Sequence, residues 1–128
     1  MRLLLDSHVL FWSLLQRSRL SQTASDAIAD QNNDVFVSVA TPWELAIKVG
    51  TGKWPEARKI VERFEDELEL SKFRLLSIAV PHVRAAGLLK SDHRDPFDRL
   101  LAAQALAEGL TLVTADARLR TLGATCLW

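Results

Sequence analysis

Four acidic residues stand at comparable points along the 128-residue chain. Asp6 closes the apolar run "RLLLD", Glu44 lies in "TPWE", Asp98 in "DPFD", and Asp116 ends "LTLVTAD". A lone buried carboxylate is costly unless it is paired, hydrogen-bonded or bound to a cation. Each of these acids falls where a strand reads as giving way to a helix, or in the first turn of a helix. In a parallel sheet those places share one edge, outside the carboxyl ends of the strands, where α/β proteins bind ligands. Four like charges in one pocket repel, and a divalent cation relieves the repulsion. Oxygen donors without nitrogen or sulfur suit Mg²⁺ and Mn²⁺. The expected chemistry is therefore that of a divalent cation, Mg²⁺ or Mn²⁺, held by Asp6, Glu44, Asp98 and Asp116.

Each acid also has a plainer reading. Asp6 and Asp116 fit helix N-caps. Glu44 completes a capping box with Thr41, and Asp98 an analogous one with Asp95. Asp95 is assigned as a structural cap, because Pro96 follows it at the first helical position. The catalytic reading rests on the joint placement of the four, not on any one of them.

The elements that must position these acids follow from the hydrophobic pattern. "RLLLD" reads as a fully buried strand, "HVLFWSLLQ" as a helix, and "SQTASDAIADQNN" as a second helix capped by Ser21. "DVFVSVA" is a β-branched strand, followed by a helix with Thr41 as cap, Pro42 first, and an end near Gly50. "PEARKIVERFEDELEL" reads as one charged amphipathic helix with Ala57, Ile60, Val61, Phe64 and Leu68 on one face. "FRLLSIAV" is a third strand and "PHVRAAGLL" a helix. The helix after Asp95 ends at Gly109, "LTLVTAD" is a fourth strand, "ARLRTLG" a short helix, and "ATCLW" a fifth strand. This alternation predicts a single-domain α/β/α sandwich over residues 1–128, with a central, mostly parallel five-stranded sheet.

Composition narrows the class. Hydrophobic residues make up 48% and charged residues 25%, which fits a folded soluble domain and argues against disorder. The single cysteine, Cys126, rules out an internal disulfide and suits a reducing cytoplasm. No apolar stretch is long enough to span a membrane, and Asp6 and His8 interrupt the run that would otherwise read as a signal peptide. Formal net charge is zero, from 16 basic and 16 acidic residues. That balance counts against a nucleic-acid binder unless clustered acids offset a basic rim elsewhere.

The segments "LLLDSHVLFW", "TPWELAIKVGTGKW", "DPFDRLLAAQALAEG" and "LTLVTADARL" together resemble the PIN domain, and more closely the VapC-type toxins of bacterial toxin–antitoxin pairs. The resemblance covers nearly the whole chain, with the motifs in the right order. It implies a small ribonuclease using Mg²⁺ or Mn²⁺, with the family's acidic set on Asp6, Glu44, Asp98 and Asp116. Ser7 and Thr114 match frequent hydroxyl positions. The resemblance also implies a homodimer and inhibition by a cognate antitoxin whose tail wraps the toxin. Phe11, Trp12, Leu15 and Trp43 are apolar candidates for that groove.

Among the neighbours, Lys48 lies one turn after Glu44 and is a candidate for the scissile phosphate or for pairing with an acid. Arg94 and Arg99 are candidates for RNA contact, His93 a lesser one, while His8 and His82 read as packing or surface residues. Trp12, Trp43 and Trp54 can stack bases but suit an ordinary core as well. Two rivals stand beside the ribonuclease reading: a PIN-like module that binds without cutting, and another metal-dependent α/β phosphoryl-transfer enzyme. A haloacid-dehalogenase-like phosphatase wants a second aspartate where His8 stands. A receiver domain wants an acid in the third strand, and "LLSIAV" has none.

Overall fold

The computed structural model describes residues 1–128. Five strands form one sheet: β1 (Arg2–Leu5), β2 (Asp34–Ser38), β3 (Arg74–Leu76), β4 (Thr111–Val113) and β5 (Cys126–Leu127), in the order β3-β2-β1-β4-β5. Every neighbouring pair is parallel. The chain steps from β1 outward to β2 and β3, then returns across the sheet to β4 beside β1. The order therefore reverses at β1, and its carboxyl end is the switch point where open α/β sheets form a crevice.

β1 is central because its side chains are apolar on both faces. Leu3 and Leu5 enter one core with Val9, Leu10, Phe11, Val35, Val37, Leu45, Ile60 and Phe64. Leu4 enters the opposite core with Leu101, Ala102, Ala105, Leu112 and Leu119. None of Leu3, Leu4 and Leu5 has exposed surface. The first core is covered by α1 (Ser7–Leu15), α2 (Gln22–Ala29), α3 (Ala40–Gly50), α4 (Arg58–Glu62) and α5 (Phe64–Ser71). The second is covered by α7 (Pro96–Glu108), and α6 (Val80–Leu88) packs against α7.

Four expectations are corrected. The charged helix over 55–70 is a short 3₁₀ turn (Pro55–Ala57) followed by α4 and α5, broken at Arg63, whose φ of −119° and ψ of 31° leave the helical region. The break still leaves Ala57, Ile60, Phe64 and Leu68 buried in one core. The third strand spans only Arg74–Leu76, and "ARLRTL" is a 3₁₀ segment. Thr41 is not the cap of α3. The helix begins at Ala40, whose amide donates to Ser38 Oγ at 3.1 Å, and the Thr41 hydroxyl is buried without a partner. Ser38 thus serves the first amide two residues earlier, which carries Glu44 beyond the first turn.

The opposed directions of Leu4 and Leu5 give a test. Leu4→Ala and Leu5→Ala should each lower the unfolding free energy by about 2–5 kcal/mol, measured by denaturant unfolding. A loss below about 1 kcal/mol for either would contradict a doubly covered central strand.

Candidate active site

Asp6 is placed by the end of β1. Its amide donates to Val113 O of β4 at 3.1 Å, so it sits directly at the switch point. Its Oδ1 accepts from the Val9 amide at 2.8 Å and caps α1. The cap reading of Asp6 therefore holds, but it occupies one oxygen of the pair. The residue is 7% exposed, and Ser7 and Thr114 beside it are buried too. Burial pushes the Asp6 carboxyl up to about 6, and the charges of Glu44 and Asp116 push the same way, against the Thr114 hydroxyl and the Val9 amide. No cationic side chain answers it.

The other three acids reach the same edge from different elements. Glu44, in α3, is 6% exposed and pairs with Lys48 Nζ at 3.0 Å, one turn along. It belongs to no capping box. Asp98 lies in the first turn of α7, where the Phe97 and Asp98 amides donate to the Asp95 carboxylate at 2.9 and 3.3 Å. Asp95 is the cap, as the sequence implied. The Asp98 carboxylate instead meets His93 Nε2 at 2.8 Å, and burial holds it above the usual carboxylate range. Asp116 caps the 3₁₀ segment Ala117–Leu122 through the Arg118 amide, at 3.0 Å. Its carboxylate also pairs with the Arg118 guanidinium at 2.8 Å, which holds it below its ordinary value. Thr114 Oγ1 accepts from the Asp116 amide at 3.0 Å, so one hydroxyl links Asp116 to Asp6.

The four acids thus share one edge, and Asp6 senses the charges of Glu44 and Asp116 while Asp98 senses that of Glu44. They are not a ready-made ligand cage. No three His, Cys, Asp or Glu side chains stand close enough, as placed, to hold one ion. The physical reason is that Glu44, Asp98 and Asp116 each lean on a partner of their own. The donor set still fits a hard divalent cation: all donors are oxygens, and the buried Asp6 lacks a counter-charge.

Several neighbours take roles that residue type alone does not reveal. Arg99 is spent on structure: its guanidinium donates to the carbonyls of Ala86 at 3.0 Å and His93 at 2.9 Å, and to Ser91 O at 3.3 Å. It clamps the loop that carries His93 and is not free for RNA. Arg94 lines a hollow with Glu44 and Lys48 and a second one with His93 and Arg118. His82 is buried, takes the Ala79 amide at 3.0 Å and meets Glu108 at 2.8 Å, joining α6 to α7. Phe11 lies in the core with only its edge near the surface, whereas Leu15 and Trp43 are exposed and do not line the hollow that Trp12 shares with it. The Asp116–Arg118 and Asp98–His93 pairs were not legible beforehand; a basic residue two after, or five before, an acid is too common to signal contact.

The topology and the acidic crevice define a small parallel α/β domain with a site at the switch point beside its central strand. The model of the PIN domain matches residues 3–124, and the chain belongs to the PIN domain family. Ribonuclease VapC22 of Mycobacterium tuberculosis is 33% identical over 129 aligned positions, covering 92% of this chain and 89% of that protein. Among solved structures, VapBC2 of Rickettsia felis, bound to a DNA fragment, has a TM-score of 0.67 at 19% identity, covering 99% of this chain and 98% of that one. VapBC-5 of Mycobacterium tuberculosis, a member of the VapBC family of toxin-antitoxin systems, has a TM-score of 0.61 at 19% identity, covering 98% of this chain and 95% of that one. At these identities the structures show the shared fold.

The raised Asp6 gives a pH test in chelator. Its carboxyl is about 6 in the fold against 3.8 for an ordinary side chain. Below pH ~4 it is protonated folded or unfolded and costs nothing; above pH ~6 it is charged in both states and its folded form is disfavoured by about 3 kcal/mol. Asp6→Asn keeps the cap. It should stabilise the chelated protein at pH 7 and lose most of that gain at pH 4, measured by urea unfolding. An equal effect at both pH values would contradict the buried charge.

Proposed function

We propose that this chain is an endoribonuclease dependent on Mg²⁺ or Mn²⁺, and the cytoplasmic toxin of a toxin–antitoxin pair. The observation that carries this reading is the buried, uncompensated Asp6 at the switch point, sensing Glu44 and Asp116, in a chain of the PIN domain family. The 33% identity to a ribonuclease and the fold shared with a toxin–antitoxin complex support it. A divalent ion at this edge would supply a water of lowered pKa and neutralise charge on the phosphate.

The chain's own residues divide the remaining work. Asp6 and Asp98 are the direct ligands, since the Asp6 carboxylate is buried at the end of β1 and that of Asp98 is sheltered in the first turn of α7. Glu44 binds through water or orients the attacking water. Asp116 acts from the rim and positions Thr114 against Asp6. Ser7, at the first position of α1, helps close the floor beneath Asp6. Lys48 and Arg94 contact the scissile phosphate on this reading, which their sharing a hollow with Glu44 supports.

The partners proposed are RNA, a cognate antitoxin and a second copy of the chain. An apolar stripe supports the homodimer: Val39, Trp43 and Ile47 recur at helical spacing along the start and exposed face of α3, with Trp43 63% exposed. Trp43 meets Phe97 edge-on at 5.1 Å, which continues the patch onto α7. One rival has an observation in its favour. The private partners of Glu44, Asp98 and Asp116 suit a PIN-like module that binds without cutting.

Amide variants separate these readings. Asn caps a helix about as well as Asp. If the acids only cap or pair, Asp6→Asn and Asp98→Asn should cleave RNA like the parent. On the proposal each should lose at least about 100-fold in cleavage rate, together with Mn²⁺ affinity by calorimetry. Asp95→Ala is the control and should cost about 1 kcal/mol of stability with cleavage affected only through folding. For assembly, sedimentation velocity should show a dimer that Trp43→Glu converts to monomer; a monomeric parent would remove the stripe's proposed role.

A further inference from the structure

Beside the acidic edge lies a second hollow that the cleavage chemistry does not use. It is a cleft of about 550 Å³ between α1 and the segment after α3, walled by His8, Phe11, Trp12 and Trp54. The rings form a continuous π surface. His8 stacks on Trp54 with centroids 4.7 Å apart and planes 27° from parallel. Phe11 tilts against the same indole at 4.6 Å, and His8 lies 5.7 Å from Trp12. The His8 ring is exposed, so the stack presents an open face.

The charge around this surface is mostly positive. Arg19, Lys48 and Lys53 line the cleft against a single carboxylate, Glu56. Arg19 lies 5.0 Å from the Trp12 ring centre and Lys48 Nζ 5.6 Å from that of Trp54. A chain of zero net charge has therefore gathered cations beside its aromatic residues. The cleft is also continuous with the candidate active site. Lys48 and Lys53 are walls of both the cleft and the neighbouring hollow that contains Glu44. Arg94 and Asp95 are walls of that hollow and of a third, which contains His93 and Arg118. One lysine ammonium thus touches Glu44 and faces Trp54 at once.

Resting on the ribonuclease reading, we propose that this cleft is a subsite for one unpaired base of the RNA strand flanking the cut. The base stacks on the His8–Trp54 pair, and Arg19 and Lys53 hold the adjoining phosphates. Aromatic platforms joined to a cationic track are the means by which proteins hold single strands, because every base has a π face and the backbone is anionic. A base inside a duplex is already stacked on its neighbours and cannot enter. A partner tail bearing basic side chains is disfavoured here by three resident cations.

The test uses the full-length protein and a synthetic single-stranded RNA spanning a mapped cut. In chelator, titration should quench tryptophan fluorescence, and the same RNA annealed to its complement should bind at least about tenfold more weakly. His8→Ala, at an exposed position, and Trp54→Leu should each weaken single-strand binding about tenfold. With Mn²⁺ present they should raise KM by a similar factor and leave kcat within about threefold. An abasic nucleotide at one flanking position should reproduce that loss in the parent and add nothing in His8→Ala, a result that requires no folded variant of Trp54. If the parent cleaves RNA but the abasic scan is flat, or the duplex binds equally well, the subsite is wrong and the ribonuclease reading stands. If the RNA is bound with quenching but never cut, the ribonuclease reading fails and the subsite stands. If His8→Ala and Trp54→Leu lose only the cognate antitoxin and keep RNA affinity, the cleft belongs to the protein partner and the proposal is overturned.

Discussion

A carboxylate that directly follows three leucines with no exposed surface has to be reconciled with its surroundings, and much of this molecule is arranged around that constraint. Leu3, Leu4 and Leu5 anchor β1 in two cores at once, so Asp6 cannot move to solvent without breaking the centre of the sheet. One oxygen is satisfied by the Val9 amide, which starts α1 at that point. The rest of its charge is uncompensated by any basic side chain, and its carboxyl is raised accordingly. Such strain at a crevice is what a binding site for a cation or a proton looks like before its ligand is considered.

The reversal of strand order makes that position useful. β2 and β4 flank β1, so residues following them arrive on either side of Asp6. Thr114 and Asp116 come from the β4 side and Glu44 from the α3 side, while α7 brings Asp98 across the front. None of these residues is near Asp6 in the chain. The loop before α7 is long and irregular, and Arg99 gives it shape by collecting the carbonyls of Ala86, Ser91 and His93. His93 then stands against Asp98 because the loop is held, not because of its own propensity.

The ion pairs at the rim bear on how a shared ligand would be bound. Glu44, Asp98 and Asp116 each hold a contact, to Lys48, His93 and Arg118 respectively, that turning inward would break. Of these, the Asp116–Arg118 pair is the most solvent-exposed and the weakest restraint, since water screens exposed pairs. The Glu44–Lys48 pair is more sheltered and doubles as a link to the aromatic cleft through Trp54. Acidic edge and aromatic cleft are in this sense one surface, divided by a single lysine.

Local patterns were sufficient for a good part of this. The doubly apolar β1 announced a central parallel strand, Ser21 and Asp95 announced their caps, and the alternation of elements announced the sandwich, because burial periodicity and caps act over a few residues. The four acids could be placed on one edge for the same reason. What the local signal misjudged were competitions decided elsewhere: Ser38 took the first amide of α3 and left Thr41 inside the helix with an orphan hydroxyl, and the 55–70 helix broke at Arg63 while keeping its apolar face on the core. Apart from the Glu44–Lys48 pair, which one-turn spacing announced, partner choice lay beyond the sequence. That Arg99 serves a loop, that His93 meets Asp98, and that His8, Trp12 and Trp54 converge on one cleft depend on distances between separate elements, which only the packed sheet and helices set.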